Sequence, residues 1–296
     1  MAALRNAAND TVRLDISRKL GFYHQDSQAD SALVYHTRQL ELAKKLNLKL
    51  WEADAYQQIG YCYLNLDNLP VAYENYMQAM KMAEDPSTAD NGWGYENFSY
   101  SNSPEEARQS IVGMLHFELS GFYNRTRFYD ESLEQLFKAV RIGERLKNQK
   151  ILSLSNRDIG TYYLRNNSPD SAYVYFQKSL MHYQNSPYQK NLGVSYLNMA
   201  YYHGLMQEYD LAKAYLRRAM DENAKSSSLT ALGLAYRFMG RVYERTGQLD
   251  SALEYTFTGL KIADSLNDYD GMINGNIRLG NLYKLKNDHA LAYDYL

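Results

Sequence analysis

Histidine and cysteine are the side chains in this sequence best suited to metal binding or nucleophilic chemistry. The six histidines include no HExxH motif and no pair four residues apart, the spacing that places two ligands on one helix face. They are His24, His36, His116, His182, His203 and His289. Cys62 is the only cysteine, so neither an internal disulfide nor a multi-cysteine metal site can form. The sequence contains no GxxxxGK(S/T) loop, no GxGxxG fingerprint and no GxSxG elbow. We therefore expect no enzyme activity, no metal and no cofactor.

The composition gives no reason to expect a nucleic-acid partner. The chain has 296 residues, of which 32 are basic and 34 acidic, whereas nucleic-acid binding usually requires a clear positive excess. At roughly 150 residues per domain this length would suggest two globular domains. The unusual feature is aromatic usage, because 29 tyrosines stand against 9 phenylalanines and 2 tryptophans.

The two ends of the chain bear on its cellular compartment. Residues 1–20 carry charges throughout and lack the apolar core of a signal peptide. No stretch reaches the roughly 20 apolar residues that a membrane-spanning helix needs. The chain stops at Leu296 inside the helix-compatible run ALAYDYL, and we interpret it as a fragment of a longer protein. The compartment is then periplasmic if that protein is a membrane sensor, and cytoplasmic otherwise.

A short pattern recurs along the chain, and its last five copies are spaced by 40 residues. Its copies are IGYCY (59–63), LSGFY (119–123), IGTYY (159–163), MAYYH (199–203), MGRVY (239–243) and LGNLY (279–283). A second small residue follows each copy, at Ala72, Ser132, Ala172, Ala212, Ala252 and Ala292. Self-similarity at a fixed period of this length is typical of repeat architectures.

Residues 53–84 fit the signature W-x2-L-G-x2-Y followed by A-x3-F particularly well. The fitting positions are Tyr56, Ile59, Gly60, Tyr63, Ala72, Tyr76 and Ala79. In these residues the chain resembles the tetratricopeptide repeat family, although its unit is longer than the usual one of about 34 residues. The resemblance implies an all-α superhelical solenoid of antiparallel helix pairs with a concave face.

This register predicts one solenoid of about seven repeats over residues 1–296. The first repeat spans residues 14–52, and the second spans 53–112 with an insertion over 86–105. Further repeats span 113–152, 153–192, 193–232 and 233–272, and a partial repeat covers 273–296. No segment is left over for a separate catalytic domain.

An aspartate recurs near the start of the second helix in five units, as Asp30, Asp130, Asp170, Asp210 and Asp250. Recurring carboxylates could serve catalysis or calcium binding. An N-cap explains them without chemistry, because a cap carboxylate accepts hydrogen bonds from the free N–H groups of the first turn. We therefore predict five N-caps. Most tyrosines, and His203 in a tyrosine position, are likewise predicted to pack in the core; a stacking platform for bases or sugars is the alternative.

The resemblance also implies a groove lined by one stripe of each first helix. The groove candidates taken from that stripe are Gln57, Tyr61, Asn124, Arg157, Arg165, Tyr201, Arg237, Arg241 and Arg245. The arginines could bind a carboxylate or phosphate through two-point hydrogen bonds. The alternative is a solvated helix face with pairs inside one helix, such as Arg241 with Glu244.

The insertion concentrates four aromatic residues on a loop, where Pro86 and Pro104 interrupt the helical pattern. They are the candidate lid residues Trp93, Tyr95, Phe98 and Tyr100. Long loops inside compact repeats are usually functional or disordered. Three interpretations stay open: a loop packed against the array, a lid or partner contact, and a disordered segment.

The leading hypothesis for function is a non-catalytic module that binds a protein or peptide segment. The sequence style of residues 9–47 resembles arrays in bacterial sensor and transcriptional regulators, which implies the sensory or interaction region of a larger signalling protein. A stand-alone assembly scaffold and an intracellular peptide-sensing regulator are the alternatives. We expect no direct nucleic-acid partner and no membrane contact within this chain. The partial last repeat is a candidate surface for self-association.

Overall fold

The computed structural model describes residues 9–25, 28–98, 101–186, 191–226 and 228–296. These residues form fourteen α-helices and two short 3-10 turns, with no strand among them. The first seven helices are α1 (Asp10–His24), α2 (Ala29–Lys45), α3 (Lys49–Asn65), α4 (Leu69–Glu84), α5 (Pro104–Arg125), α6 (Tyr129–Leu146) and α7 (Gln149–Arg165). The others are α8 (Pro169–Gln184), α9 (Leu192–Leu205), α10 (Tyr209–Lys225), α11 (Leu229–Arg245), α12 (Leu249–Ser265), α13 (Tyr269–Leu285) and α14 (His289–Tyr295). This architecture confirms the predicted all-α fold of helix pairs.

The helices group into two compact units, residues 1–162 and residues 163–296. In the first unit the main packed pairs are α1 with α2, α3 with α4, and α5 with α6. In the second unit α9 packs on α10, α11 on α12, and α13 on α14. Among the described helices, none is long and apolar enough to cross a membrane.

A residue with a left-handed backbone follows most of the helices. These residues are Asn47, Asp67, Arg127, Lys147, Asn167, Gln207, Gly247, Asn267 and Asn287. After α3, for example, the Asn68 N–H donates to the Tyr63 carbonyl at 2.9 Å, which closes the helix end. Asn47 and Asp67 lie 20 residues apart, as do Asn267 and Asn287. One helix with its turn therefore occupies 20 residues, and two of them make the 40-residue unit.

The small residue of the repeated pattern lets the two helices of a pair approach closely. A Cβ atom at Gly60 would lie 2.7 Å from the ring of Tyr76, and one at Gly240 would lie 2.6 Å from the Thr256 hydroxyl. Atoms this close would clash, so only glycine fits without a shift of the partner helix. In the first unit, Trp51, Tyr76 and Leu115 are fully buried in the core beside these contacts.

Tyrosines of the repeated pattern pack where the sequence predicts. Tyr63 and Tyr123 lie against the core of the first unit, and Tyr163 lies against that of the second. Tyr243 stacks on Tyr255 with ring centroids 5.2 Å apart. His203 is also buried, so the structural interpretation holds for these residues.

The prediction of five aspartate N-caps is wrong. The N-cap residues of these helices are Gln28, Phe128, Ser168, Glu208 and Gln248, and none makes a side-chain cap hydrogen bond. Each helix begins one residue before its aspartate, which therefore lies in the first turn and interacts favourably with the helix dipole. Asp130 also accepts a hydrogen bond from the Tyr162 hydroxyl at 2.8 Å, and Asp250 one from Lys286 at 2.5 Å. Those two carboxylates link successive repeats.

The insertion between α4 and α5 is ordered by short turns. The 3-10 turns cover Pro86–Ala89 and Tyr95–Asn97, and Gly94 has a positive φ of 69°. Pro104 does not interrupt a helix. It is the first residue of α5, where its missing N–H has no intrahelical role, and Ser103 caps the helix by accepting from the Glu106 N–H at 3.2 Å.

Candidate functional site

The second unit contains a cavity of about 490 Å³ along the helices α9, α11 and α13, which we call the groove. Tyr201 and Leu205 on α9 form one side, Phe238 and Arg241 on α11 the floor, and Ile277 on α13 the other side. Large side chains in the groove stay accessible, since the exposed fractions of Tyr201, Leu205 and Ile277 are 39%, 47% and 47%. A cavity of this size falls within the usual range of ligand sites.

Two aromatic rings and a guanidinium lie in contact with one another in the groove. The rings of Tyr201 and Phe238 are inclined by 24°, with centroids 5.6 Å apart. The guanidinium of Arg241 lies 5.7 Å from the Phe238 centroid. Such a cation–π contact attracts the guanidinium to the ring and restricts its side chain before any ligand binds.

Two of the arginines near the groove are neutralised by carboxylates of the chain. Arg278 on α13 forms an ion pair with Glu244 on α11. Arg237 lies 3.2 Å from Asp268 and is not among the groove-lining residues. The predicted alternative of an ion pair between Arg241 and Glu244 is therefore wrong, because Glu244 pairs with the next first helix instead.

Unlike Arg278 and Arg237, the groove residues Arg241 and Arg245 have no such carboxylate neighbour in the part of the chain that the structure describes. Both line the groove and both are exposed. Within the described residues, neither has a carboxylate at ion-pair distance. They are four residues apart on α11, so they lie on one helix face about 6 Å apart along the axis.

The groove thus brings together three of the nine predicted groove residues, Tyr201, Arg241 and Arg245. It also contains residues that our sequence analysis missed. Asn274, Ile277 and Asn281 could have been found by carrying the same stripe into the partial last repeat. Phe238 and Arg278 lie beside that stripe, and no sequence signal distinguishes them.

The other predicted groove residues are distributed as follows. In the first unit Gln57 is buried, Tyr61 is partly buried and Asn124 is exposed. Arg157 there contacts Asp158 at 2.6 Å. Arg165, in the second unit, is exposed and is not a lining residue of the groove.

The insertion packs against the first unit. Trp51 on α3 donates a hydrogen bond from its indole N–H to the Trp93 carbonyl at 2.8 Å. The ring of Phe98 lies 5.2 Å from that of Trp51 and 5.0 Å from the Arg18 guanidinium on α1. Phe98 is buried and Tyr95 packs against the same core, whereas Trp93 is 43% exposed. Tyr100 lies outside the described residues.

The remaining reactive groups are engaged in structural contacts. Burial raises the pKa of the Cys62 thiol to about 12, so it is not a thiolate at neutral pH. His203 lies 2.5 Å from Glu208 and stacks on Tyr215 with centroids 5.2 Å apart. In the described parts of the chain, no three His, Cys, Asp or Glu side chains are arranged to hold a metal ion.

Comparison with protein-family models matches the tetratricopeptide repeat over residues 53–86 and 194–226. The chain carries tetratricopeptide repeats. These matches confirm the resemblance seen in the sequence, on one segment of each unit. A comparison with curated protein sequences gives no match.

Solved structures share the fold at low sequence identity. The apo form of the quorum sensor NprR from B. thuringiensis has a TM-score of 0.67 at 14% identity, covering 99% of this chain and 77% of that one. Aspartyl phosphate phosphatase F from Bacillus subtilis gives 0.65 at 14% identity, covering 97% and 69%. A Rap protein complexed with Competence and Sporulation Factor gives 0.60 at 11% identity, covering 100% and 79%. The described helices thus form a tetratricopeptide-type solenoid fold.

Proposed function

We propose that this chain is a non-catalytic binding module that holds a protein or peptide segment in the groove of the second unit. The observation that carries this proposal is the groove itself. It combines accessible apolar side chains, Tyr201, Leu205 and Ile277, with two arginines that have no carboxylate partner among the described residues. Burial of apolar area and a few placed polar groups are what a recognition site requires.

The lining of the groove favours binding over catalysis. Its described residues include no histidine, cysteine or aspartate, and its one glutamate, Glu244, is held by Arg278. General acid–base or nucleophilic catalysis would need such a group with an activating partner. One structural neighbour is named a phosphatase. At 14% identity this similarity shows a shared fold and gives no support for a shared activity.

Two structural neighbours support a role in sensing. NprR is described as a quorum sensor, and a Rap protein is described in complex with a factor. By analogy we propose that this chain is the sensory or interaction region of a larger bacterial signalling protein, with the groove as its input site. One continuous array of seven repeats over residues 1–296 remains part of this proposal.

Selection of ligands from a phage-displayed library of random peptides tests the binding function. We expect the protein to enrich a set of related peptides. The variant Tyr201→Ala with Ile277→Ser should lose that enrichment, because it removes apolar side chains from both sides of the groove. The matched control is Leu211→Ser on α10, where a leucine of 48% exposure lies outside the groove. No enrichment, or equal enrichment by the groove variant, would contradict the proposal.

A scaffold that associates with itself is the second candidate. It is favoured by large apolar side chains on α13 and α14, where Tyr269 is 71% exposed, Ile273 57% and Tyr293 86%. Exposed apolar groups gathered on neighbouring helices are typical of interaction surfaces. Light scattering should then show association that Ile273→Glu with Tyr293→Glu abolishes. A monomer at all concentrations would exclude this candidate.

A further inference from the structure

The charge of the groove is opposite to that of the chain. The sequence has a formal net charge of −2, yet the charged side chains lining the groove are Arg241, Arg245, Arg278 and Glu244. Since Glu244 neutralises Arg278, two positive charges remain without a local carboxylate. An uncompensated pair of cations beside apolar surface favours an anionic ligand and disfavours a neutral or basic one.

From this relationship we infer that the ligand is a peptide with a carboxylate directly beside an aromatic or aliphatic side chain. The inference rests on the proposed binding function and names its ligand class. Arg241 and Arg245 hold the carboxylate, and Tyr201, Leu205 and Ile277 hold the apolar side chain. The carboxylate comes from an acidic side chain or from the C-terminus of the peptide.

The geometry of the two arginines suits a carboxylate. A guanidinium presents parallel N–H donors that match both carboxylate oxygens. The cation–π contact with Phe238 restricts the Arg241 side chain before binding, so less side-chain freedom is lost when the ligand arrives. Arg245 lines the groove one helical turn further along the same face of α11, so both guanidinium groups are available to one ligand group.

The apolar part of the groove gives the second requirement. A small anion would leave Tyr201, Leu205 and Ile277 in water, and a purely apolar segment would leave both guanidinium groups without an acceptor. A ligand with both an apolar side chain and a carboxylate gains binding free energy from two sources. Its apolar side chain is buried in the groove, and its carboxylate accepts charge-assisted hydrogen bonds from the arginines. This joint requirement, rather than either feature alone, defines the ligand class.

Four pools of synthetic peptides test the inference. Each pool is fluorescein-labelled and randomised over Ala, Ser, Leu, Phe and Tyr around one fixed central residue. The central residue is Glu or Gln, and the C-terminus is a free acid or an amide. Fluorescence anisotropy gives an average affinity for each pool. The protein variants are Arg241→Gln with Arg245→Gln, and the matched control Arg217→Gln, which removes an exposed arginine on α10 outside the groove.

We expect at least one acidic pool to bind about tenfold more tightly than the Gln-amide pool, as one charge-assisted bond would give. The double variant should reduce that ratio to about one, whereas Arg217→Gln should preserve the ratio. Comparison of the Glu-amide and Gln-acid pools assigns the carboxylate to a side chain or a terminus.

Three results would overturn the inference. Equal binding of all four pools would reject the carboxylate requirement while leaving the proposed binding function intact. An acidic preference that persists in the double variant would place the anion elsewhere. No binding of any pool would reject the ligand class and the proposed function together.

Discussion

The guanidinium of Arg18 binds the carboxylate of Asp54 at two points, with Nε 2.7 Å from Oδ2 and Nη2 3.1 Å from Oδ1. This pair joins α1 to α3, and the Gln39 amide donates to the same carboxylate at 2.8 Å. Burial alone would raise the pKa of Asp54, but the Arg18 charge and these hydrogen bonds lower it below the usual value. The pair is thus a buried, fully coordinated link between the first two helix pairs.

The first prediction concerns this pair. Arg18→Met should lower the free energy of unfolding by about 3–5 kcal/mol, because it leaves the Asp54 charge buried without a partner. Urea denaturation measures the change. The control is Lys19→Met, which breaks the pair of a 68% exposed lysine with Asp15 and should change stability by less than about 1 kcal/mol. Equal losses in the free energy of unfolding for the two variants would show that the buried pair contributes no more to stability than the exposed pair.

The same pair should make stability depend on pH in the acid range. The folded-state pKa of Asp54 is lowered, so its contribution is present above the unfolded pKa, near 3.8, and is lost as the pH falls through the folded value. The difference in stability between the wild type and Asp54→Asn should therefore shrink below about pH 4. A constant difference down to about pH 2 would contradict this assignment.

A second prediction concerns the insertion. Phe98 is 2% exposed and lies between Trp51 and Arg18. Phe98→Ala should therefore lower the free energy of unfolding by about 3–5 kcal/mol. It should also increase the rate of proteolysis within residues 86–98. Trp93→Ala serves as the comparison, since Trp93 is 43% exposed and its backbone carbonyl, which the substitution keeps, accepts the hydrogen bond from Trp51. Its effect should be smaller. If neither variant changes the proteolysis rate, the insertion does not depend on these contacts.

Periodicity in the sequence was enough to predict the helix pairs and part of the groove. Gly60 and Gly240 recur because close helix packing requires a small residue, and such a local requirement is visible in a single chain. The stripe that contains Tyr201 and Arg241 follows from the same register.

Contacts between distant residues were not predictable in this way. Arg237 is neutralised by Asp268, 31 residues further along the chain. Glu244 pairs with Arg278, 34 residues further along, rather than with the nearby Arg241. The aspartate caps failed for a different reason: a shift of one residue in the helix start moves a carboxylate from the cap into the first turn, and sequence patterns fix helix ends only to within a few residues.

A third prediction tests close packing at the repeated small position. Gly60→Ala should destabilise the first unit by about 1–3 kcal/mol, because the new Cβ would lie 2.7 Å from the Tyr76 ring. Gly121→Ala, on α5 of the same unit, provides a matched control. Its Cβ would meet only Leu64, at 4.0 Å, so the gain in helix propensity should stabilise by about 0.5–1 kcal/mol. Urea denaturation of both variants should therefore give changes of opposite sign. Stabilisation by both substitutions would mean that helix propensity, not packing, governs these positions, and destabilisation by both would mean that Gly121 is also held by packing.

The last prediction concerns Glu118 on α5, whose pKa burial raises to about 7. Lys150 and Arg157 lower this pKa and Asp158 raises it, but these charges do not offset burial. Between the usual value of 4.5 and about 7 the folded protein keeps a proton that the unfolded chain has released. The contribution of Glu118 to the free energy of unfolding should therefore fall as the pH rises through this range, and level off above it.

The wild type measured relative to Glu118→Gln should show this slope, and the variant should be the more stable protein at about pH 8, as urea denaturation of both from about pH 5 to about pH 8 would show. His36 and His116, whose pKa values burial lowers, titrate in both proteins and cancel in the difference. Glu134→Gln is the control, because Glu134 is exposed beside Lys138 and its pKa is lowered by that hydrogen bond. Its removal should leave the slope unchanged over this range. A difference between the wild type and Glu118→Gln that stays constant between about pH 5 and about pH 8 would show that the Glu118 carboxyl is ionised in the folded state, in contact with water or with the Lys150 and Arg157 charges.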